Sequence, residues 1–161
     1  MATKRRQTMV VDSSVARSAG SSTDHPRSSA CRNFLQWALR YCHRLAISTD
    51  IDREWKKHQS RFTLGWRLAM EQKGKVQNFG TLDCDSLKNR IQALKLRKPS
   101  EQRAMQKDAL LIVAAQAADR VIVSLDNKAR ELFMEHAKQL KTPRGIKWRN
   151  PAEEPIPWNL M

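Results

Sequence analysis

Two short apolar runs in the chain each finish on a carboxylate. Met9-Val10-Val11-Asp12-Ser13-Ser14 lies near its start, and Arg120-Val121-Ile122-Val123-Ser124-Leu125-Asp126 lies towards its end. An apolar run without polar alternation reads as a strand buried on both faces, the kind found in parallel α/β sheets. Ligands of such sheets gather outside the carboxyl ends of the strands, where the strand order reverses. Asp12 and Asp126 are therefore expected as neighbours in space despite their distance in sequence. Two carboxylates at one sheet edge repel each other, so they require a cation or must share a proton. A third acid, Asp108, stands directly ahead of the apolar segment Ala109 to Ala115, and a fourth, Glu54, follows the second apolar run, Leu45-Ala46-Ile47.

The elements that must position these acids follow from periodicity. The first strand covers Thr8 to Asp12. Ser13 to Ala30, rich in serine and small residues, reads as a loop with an irregular helix start. Cys31, Phe34, Leu35, Ala38, Leu39 and Cys42 then repeat at helical spacing, which predicts one helix face packed on a sheet. Leu45-Ala46-Ile47 is a second strand. Ser48 or Thr49 can cap the helix after it, whose first turns carry Asp50, Asp52 and Glu54, where the helix dipole favours negative charge. Between Gln59 and Lys98, one helix is suggested by Phe62, Leu64, Trp66, Leu68 and Met70, and another by Leu87, Ile91 and Leu94. Pro99-Ser100 restarts a helix running from about Glu101 to Ala118. A further stripe holds Ala129, Leu132, Phe133, His136, Ala137 and Leu140, which makes His136 a packed residue. Gly145 to Trp148 reads as an edge strand before the proline-rich tail from Pro151. The alternation predicts an α/β fold with a central parallel sheet of four to five strands flanked by helices. A single domain over 8–141 follows a basic extension, 1–7, and precedes an edge strand and tail, 142–161.

The chain has 161 residues, 40% of them hydrophobic, enough for one domain with its own core. Its 30 Lys and Arg against 16 Asp and Glu give a net charge of +14, which favours a polyanionic partner, nucleic acid first. A merely soluble basic surface is the plainer alternative. No apolar run is long enough to span a membrane, and the short apolar run after Lys4, Arg5 and Arg6 is no secretory signal. The three cysteines are odd in number and lack a C-x-x-C pair, as expected of reduced thiols in a cytoplasmic protein. Cys31 and Cys42 fall on the apolar stripe and are expected in the core. The four histidines show no ligand spacing.

Val-Val-Asp12-Ser-Ser14, Glu54 after the second strand, and the tract from Asp108 through Ser124-Leu-Asp126 together resemble the PIN-domain ribonuclease family, whose best-known members are the VapC-type toxins of toxin–antitoxin pairs. The resemblance spans about residues 8 to 140. It implies a metal site with Asp12 as central ligand, Glu54, Asp108 and Asp126 as the second, third and fourth acids, and Ser14 and Ser124 as supporting polar residues. It further implies Mg²⁺ or Mn²⁺, hard ions that take oxygen ligands and keep several waters. The reaction implied is hydrolysis of a phosphodiester in single-stranded RNA, leaving a 5′-phosphate and a 3′-hydroxyl. The segment 59–98 is longer and more basic than a compact member needs, and the tail departs from the pattern.

Lys56, Lys57, Arg61 and Arg67 are the candidates for RNA binding, through phosphate contacts. Trp55, Trp66 and Phe79 either stack on bases or pack in the core. Each acid has a plainer role as well: Asp126 can cap the following helix, Asp50 or Asp52 can replace Glu54, and Asp119 is expected as a surface turn residue. A catalytically silent RNA-binding module and a housekeeping nuclease without an antitoxin are the competing expectations. A small antitoxin protein and a homodimer are the further partners implied. Ser14 stands where a haloacid-dehalogenase-like phosphatase needs an acid, and the turn after the first strand lacks the glycines of a dinucleotide fold.

Overall fold

The computed structural model describes residues 6–20, 25–142 and 145–160; the first five residues of the predicted basic extension lie outside them. Five strands form one sheet: β1 (Thr8–Val11), β2 (Arg44–Ile47), β3 (Val76–Asn78), β4 (Val121–Val123) and β5 (Lys147–Arg149). Their order is β3-β2-β1-β4-β5, and every neighbouring pair is parallel. The predicted α/β class with a parallel sheet therefore holds, with five strands. Every residue of β1 and β4 is buried, as continuous apolar runs in a sheet covered on both faces require. The chain builds outward from β1 to β2 and β3 on one side, then returns to add β4 and β5 on the other. The strand order reverses at β1, so the crevice beyond the ends of β1 and β4 is the topological switch point.

Eight helices complete the described fold: α1 (Ser13–Ser18), α2 (Pro26–Arg40), α3 (Thr49–His58), α4 (Arg61–Gln72), α5 (Asp85–Gln92), α6 (Pro99–Ala117), α7 (Asn127–Glu135) and α8 (Ala137–Leu140). The longest, α6, packs on β1, β2 and β4 through Met105, Ala109, Ile112 and its other buried residues. On α3, Ser48 accepts a hydrogen bond from the Ile51 amide (3.3 Å), the N-cap expected from sequence.

Several expectations are corrected. The serine-rich stretch after Asp12 is helical from Ser13, because Val15 and Ala16 are buried and anchor a short turn of helix. The amide of Ser60 and the hydroxyl of Thr63 both bond the Ala16 carbonyl (3.0 and 2.7 Å), tying α1 to the start of α4. Cys42 is exposed, because α2 ends at Arg40 and Cys42 takes a left-handed turn into β2 (φ 65°). The stripe around His136 is two helices broken at that residue, whose half-exposed ring contacts the Gln139 side chain. β3 joins the sheet unforeseen. Trp55 and Trp66 are buried, so neither offers a face to a base. The tail folds back: Trp158 stacks on Phe34 (5.0 Å between centroids), and Leu160 is buried. No described helix is long and apolar enough to cross a membrane.

Candidate functional site

Asp12 directly follows β1, and its amide donates to the Val123 carbonyl (2.8 Å), continuing the β1–β4 ladder by one residue. Its side chain does not cap α1. Instead Oδ2 accepts two hydroxyl hydrogen bonds, from Ser14 Oγ (2.7 Å) and Ser124 Oγ (2.9 Å). Each hydroxyl in turn accepts a backbone amide from the loop after β4, Leu125 to Ser14 (3.2 Å) and Asp126 to Ser124 (3.0 Å). Two serines thus lace the ends of β1 and β4 together around one carboxylate oxygen. Both predicted supporting residues hold Asp12 in a fixed rotamer.

Asp126 caps α7, its Oδ1 accepting from the Ala129 amide (3.0 Å). Asp126 lines the cleft as well, so the cap does not remove it from there. Glu54 is placed by its neighbour: the buried Trp55 indole donates to the Val11 carbonyl (2.9 Å), clamping α3 onto the end of β1. The neighbouring acids are ion-paired too, as Glu54 is with Lys57 (3.7 Å), the His58 ring standing 3.8 Å from its other oxygen. Asp50 pairs with Arg53, and Asp52 with Lys56 (2.9 Å) and Arg67. Partial burial opposes ionisation of Asp52, but hydrogen bonds and charge from Lys56 and Arg67 outweigh it and hold its carboxyl below the usual value.

The acids meet in adjoining spaces. Asp12, Asp108 and Asp126 line an open cleft of about 320 Å³ with Ser13, Ser14, Arg17, His58, Ala104 and Lys107. Glu54 joins Asp12 and Asp108 in a narrow pit beside it, walled by Ile51, Trp55, Leu110 and Leu111. Asp108 is only 7% exposed, and its carboxylate accepts no hydrogen bond among the described residues. Burial first, and then the charges of Asp12, Asp126 and Glu54, push its carboxyl up from an ordinary 3.8 to about 7, with Lys107 pulling the other way. Geometry and electrostatics both show these acids sensing one another.

Among the described residues, no three His, Cys, Asp or Glu side chains stand close enough to grip one ion directly. The donor set is all carboxylate, suited to hard cations, and Mg²⁺ retains most of its waters while taking one or two carboxylates. Carboxylates so spaced would reach a divalent ion only through waters that the ion retains.

The predicted RNA-binding cations are placed differently from the acids. Lys56 is paired with Asp52, Lys57 approaches Glu54 (3.7 Å), and Arg67 bridges Asp52 and Glu71. Arg61 lies exposed at the start of α4, and it does not line the cleft. The basic side chains at the cleft are Arg17, Lys107 and His58, none of them among the residues expected to contact phosphate. A signal existed for each. Lys107 adjoins Asp108, His58 lies one turn after Glu54, and Arg17 lies one turn after Ser13 once that segment is helical. Arg17 and Lys107 make no ion pair among the described residues, which leaves both charges available to an anion.

No protein-family model matches the chain, and neither a curated protein nor a solved structure does so.

Proposed function

We propose that this chain is a metal-dependent endoribonuclease of PIN-like type that hydrolyses phosphodiester bonds in single-stranded RNA in the cytoplasm. The observation that carries the reading is Asp108, whose carboxyl is held well above the usual carboxylate range first by burial and then by the charges of Asp12, Asp126 and Glu54, at the switch point of a parallel sheet. Such an arrangement destabilises the free protein unless a cation neutralises it, and strongly perturbed groups in a cleft mark functional sites. Asp12, Glu54, Asp108 and Asp126 would hold Mg²⁺ or Mn²⁺. When bound, the ion supplies a more acidic water and offsets charge on the phosphate.

The chain's own residues do the rest. Ser14 and Ser124 fix Asp12, so the carboxylate does not have to reorganise when substrate arrives. Arg17 and Lys107 bind non-bridging phosphate oxygens and hold the scissile group over the acids. Asp126 is kept in place by its cap on α7. Hydrolysis joins a water oxygen to phosphorus and breaks the bond to the 3′ oxygen, leaving a 5′-phosphate and a 3′-hydroxyl. The net charge of +14 draws in the RNA backbone. In a toxin role, a partner segment carrying a basic side chain would silence the protein by entering this cleft.

The open spacing of the acids favours one second reading, an RNA-binding module without catalysis. Incubating wild type and Asp12→Asn with structured and unstructured RNAs, in Mg²⁺, Mn²⁺ or chelator, separates the two. Cleavage by wild type with metal alone is the expected result. Intact RNA throughout favours the silent module, and equal cleavage by both proteins rejects the site. Growth arrest on expression, relieved by a co-expressed neighbour gene, would mark a toxin.

A further inference from the structure

We propose that Asn150, with Glu153 beside it, is a positioning residue for the acid cleft: the turn after β5 holds the loop that carries Asp126. The inference rests on the reading of the cleft as a divalent-ion site, to which it adds two residues from the last segment of the chain. β5 is the edge strand beside β4, and the Ser124 amide donates to the Arg149 carbonyl (3.0 Å). The next residue, Asn150, is only 4% exposed. Its Nδ2 donates to Asn127 Oδ1 (3.1 Å) and to the Leu125 carbonyl (3.4 Å), which belong to the residues on either side of Asp126. Asn127 in turn donates through its own Nδ2 to Glu153 Oε1 (2.6 Å). Both neighbours of Asp126 are thus tied to the turn at 150–153.

The choice of side chain supports a role beyond the turn itself. Asn150 Oδ1 accepts the Ala152 amide (2.9 Å), and its carbonyl accepts the Glu153 and Glu154 amides (3.1 and 2.9 Å). A turn of this kind needs only a side-chain oxygen ahead of the amide, which aspartate supplies as well. What asparagine adds over aspartate is the NH₂ group, and both of its hydrogen bonds go to the Asp126 loop. A buried amide with oxygen and nitrogen both used in this way has one orientation. The other side of the loop is held by the hydroxyls of Ser14 and Ser124, which accept the Leu125 and Asp126 amides. The backbone that carries Asp126 is therefore fixed from two sides. A carboxylate held in place before a cation arrives loses less freedom on binding it.

The test is calorimetric titration of Mn²⁺ into the full-length, chelator-treated chain, with amide hydrogen exchange of residues 121–127 followed on the same proteins without metal. Asn150→Asp keeps the acceptor for Ala152 and loses both donors. Glu153→Ala, at an exposed position, releases Asn127, and Glu153→Gln keeps an acceptor oxygen there. Leu160→Ala, at the buried end of the tail, weakens the fold outside this network and serves as the control. Mn²⁺ affinity is expected to fall about 10-fold or more in Asn150→Asp and about 3–10-fold in Glu153→Ala. Glu153→Gln and Leu160→Ala should bind as wild type does, and exchange at Leu125 and Asp126 should quicken only in the first two variants. Asn150→Asp adds a negative charge, which by itself favours a cation, so a loss of affinity reports the lost bonds. Wild-type affinity in Asn150→Asp, or an equal loss in Leu160→Ala, would overturn the inference and leave the ion site standing. If Asn150→Asp does not fold, equal affinities of Glu153→Ala and Glu153→Gln would overturn it in the same way. A wild type that binds no Mn²⁺ would overturn the ion site and this inference together.

Discussion

Asp108→Asn should stabilise the ion-free protein at neutral pH and above. The folded carboxyl titrates near 7 and the unfolded one near 3.8. Between those values the folded state holds a proton that the unfolded chain has lost, so stability falls as pH rises through the interval. The penalty is absent below about pH 4 and complete above about pH 7. A gap of about three pH units corresponds to roughly 4 kcal/mol, at about 1.4 kcal/mol per unit. Asparagine keeps the shape and cannot ionise. Because the Asp108 carboxylate accepts no hydrogen bond among the described residues, the amide takes over no broken partnership. The assay is urea unfolding followed by tryptophan fluorescence, with chelator, from about pH 4 to about pH 8. The quantity of interest is the difference between the two proteins, which cancels titration elsewhere. The variant should match wild type at the acid end and exceed it by about 2–4 kcal/mol at the alkaline end, or roughly 10 °C in Tm. Parallel curves, or a variant less stable at pH 8, would refute the claim that the acid cluster strains the ion-free fold.

Three further outcomes follow from the same geometry. Ser124→Ala removes one of two hydroxyls on Asp12 Oδ2 and should lower metal-dependent cleavage by about 10–100-fold, with about 1 kcal/mol of stability lost in denaturant unfolding. Lys107→Ala should weaken RNA binding and reduce the slope of log affinity against log salt by about 0.7, the single-strand value for one phosphate contact; Lys56→Ala, whose ammonium is already paired with Asp52, should change that slope less. Trp55→Phe strands the buried Val11 carbonyl and should cost about 1–3 kcal/mol in thermal or urea unfolding, with a loss of activity as Glu54 drifts from the pit.

The legible parts of the fold were those set by burial on two faces. β1 and β4 could be read because runs such as Val121-Ile122-Val123 leave no polar face, and the acids could be read because they sit at the ends of those runs. β3 is not legible in sequence: Val76-Gln77-Asn78 is a short edge strand with Val76 half-buried and Gln77 and Asn78 exposed, held by pairing with β2 rather than by its own pattern. α1 was missed because six residues carry only two buried ones, and its helix depends on Ser60 and Thr63 bonding to its end from far along the chain. The tryptophans were ambiguous, since an indole reads alike whether its N–H meets RNA or, as with Trp55, a strand carbonyl. The cleft cations escaped because a basic chain offers many candidates, and only the fold shows which are already paired. Arg67 looked available in sequence and is held by Asp52 and Glu71; Arg17 looked like loop and lines the cleft.

The nuclease proposal requires the acids at the ends of β1 and β4 to hold one divalent ion between them. Calorimetric titration of Mn²⁺ into the chelator-treated protein at neutral pH measures that directly. The expected outcome is one ion bound per chain, abolished by Asp12→Asn and by Asp108→Asn, while Asp52→Asn binds as wild type does. No saturable binding to wild type, or equal binding by all four proteins, would contradict it.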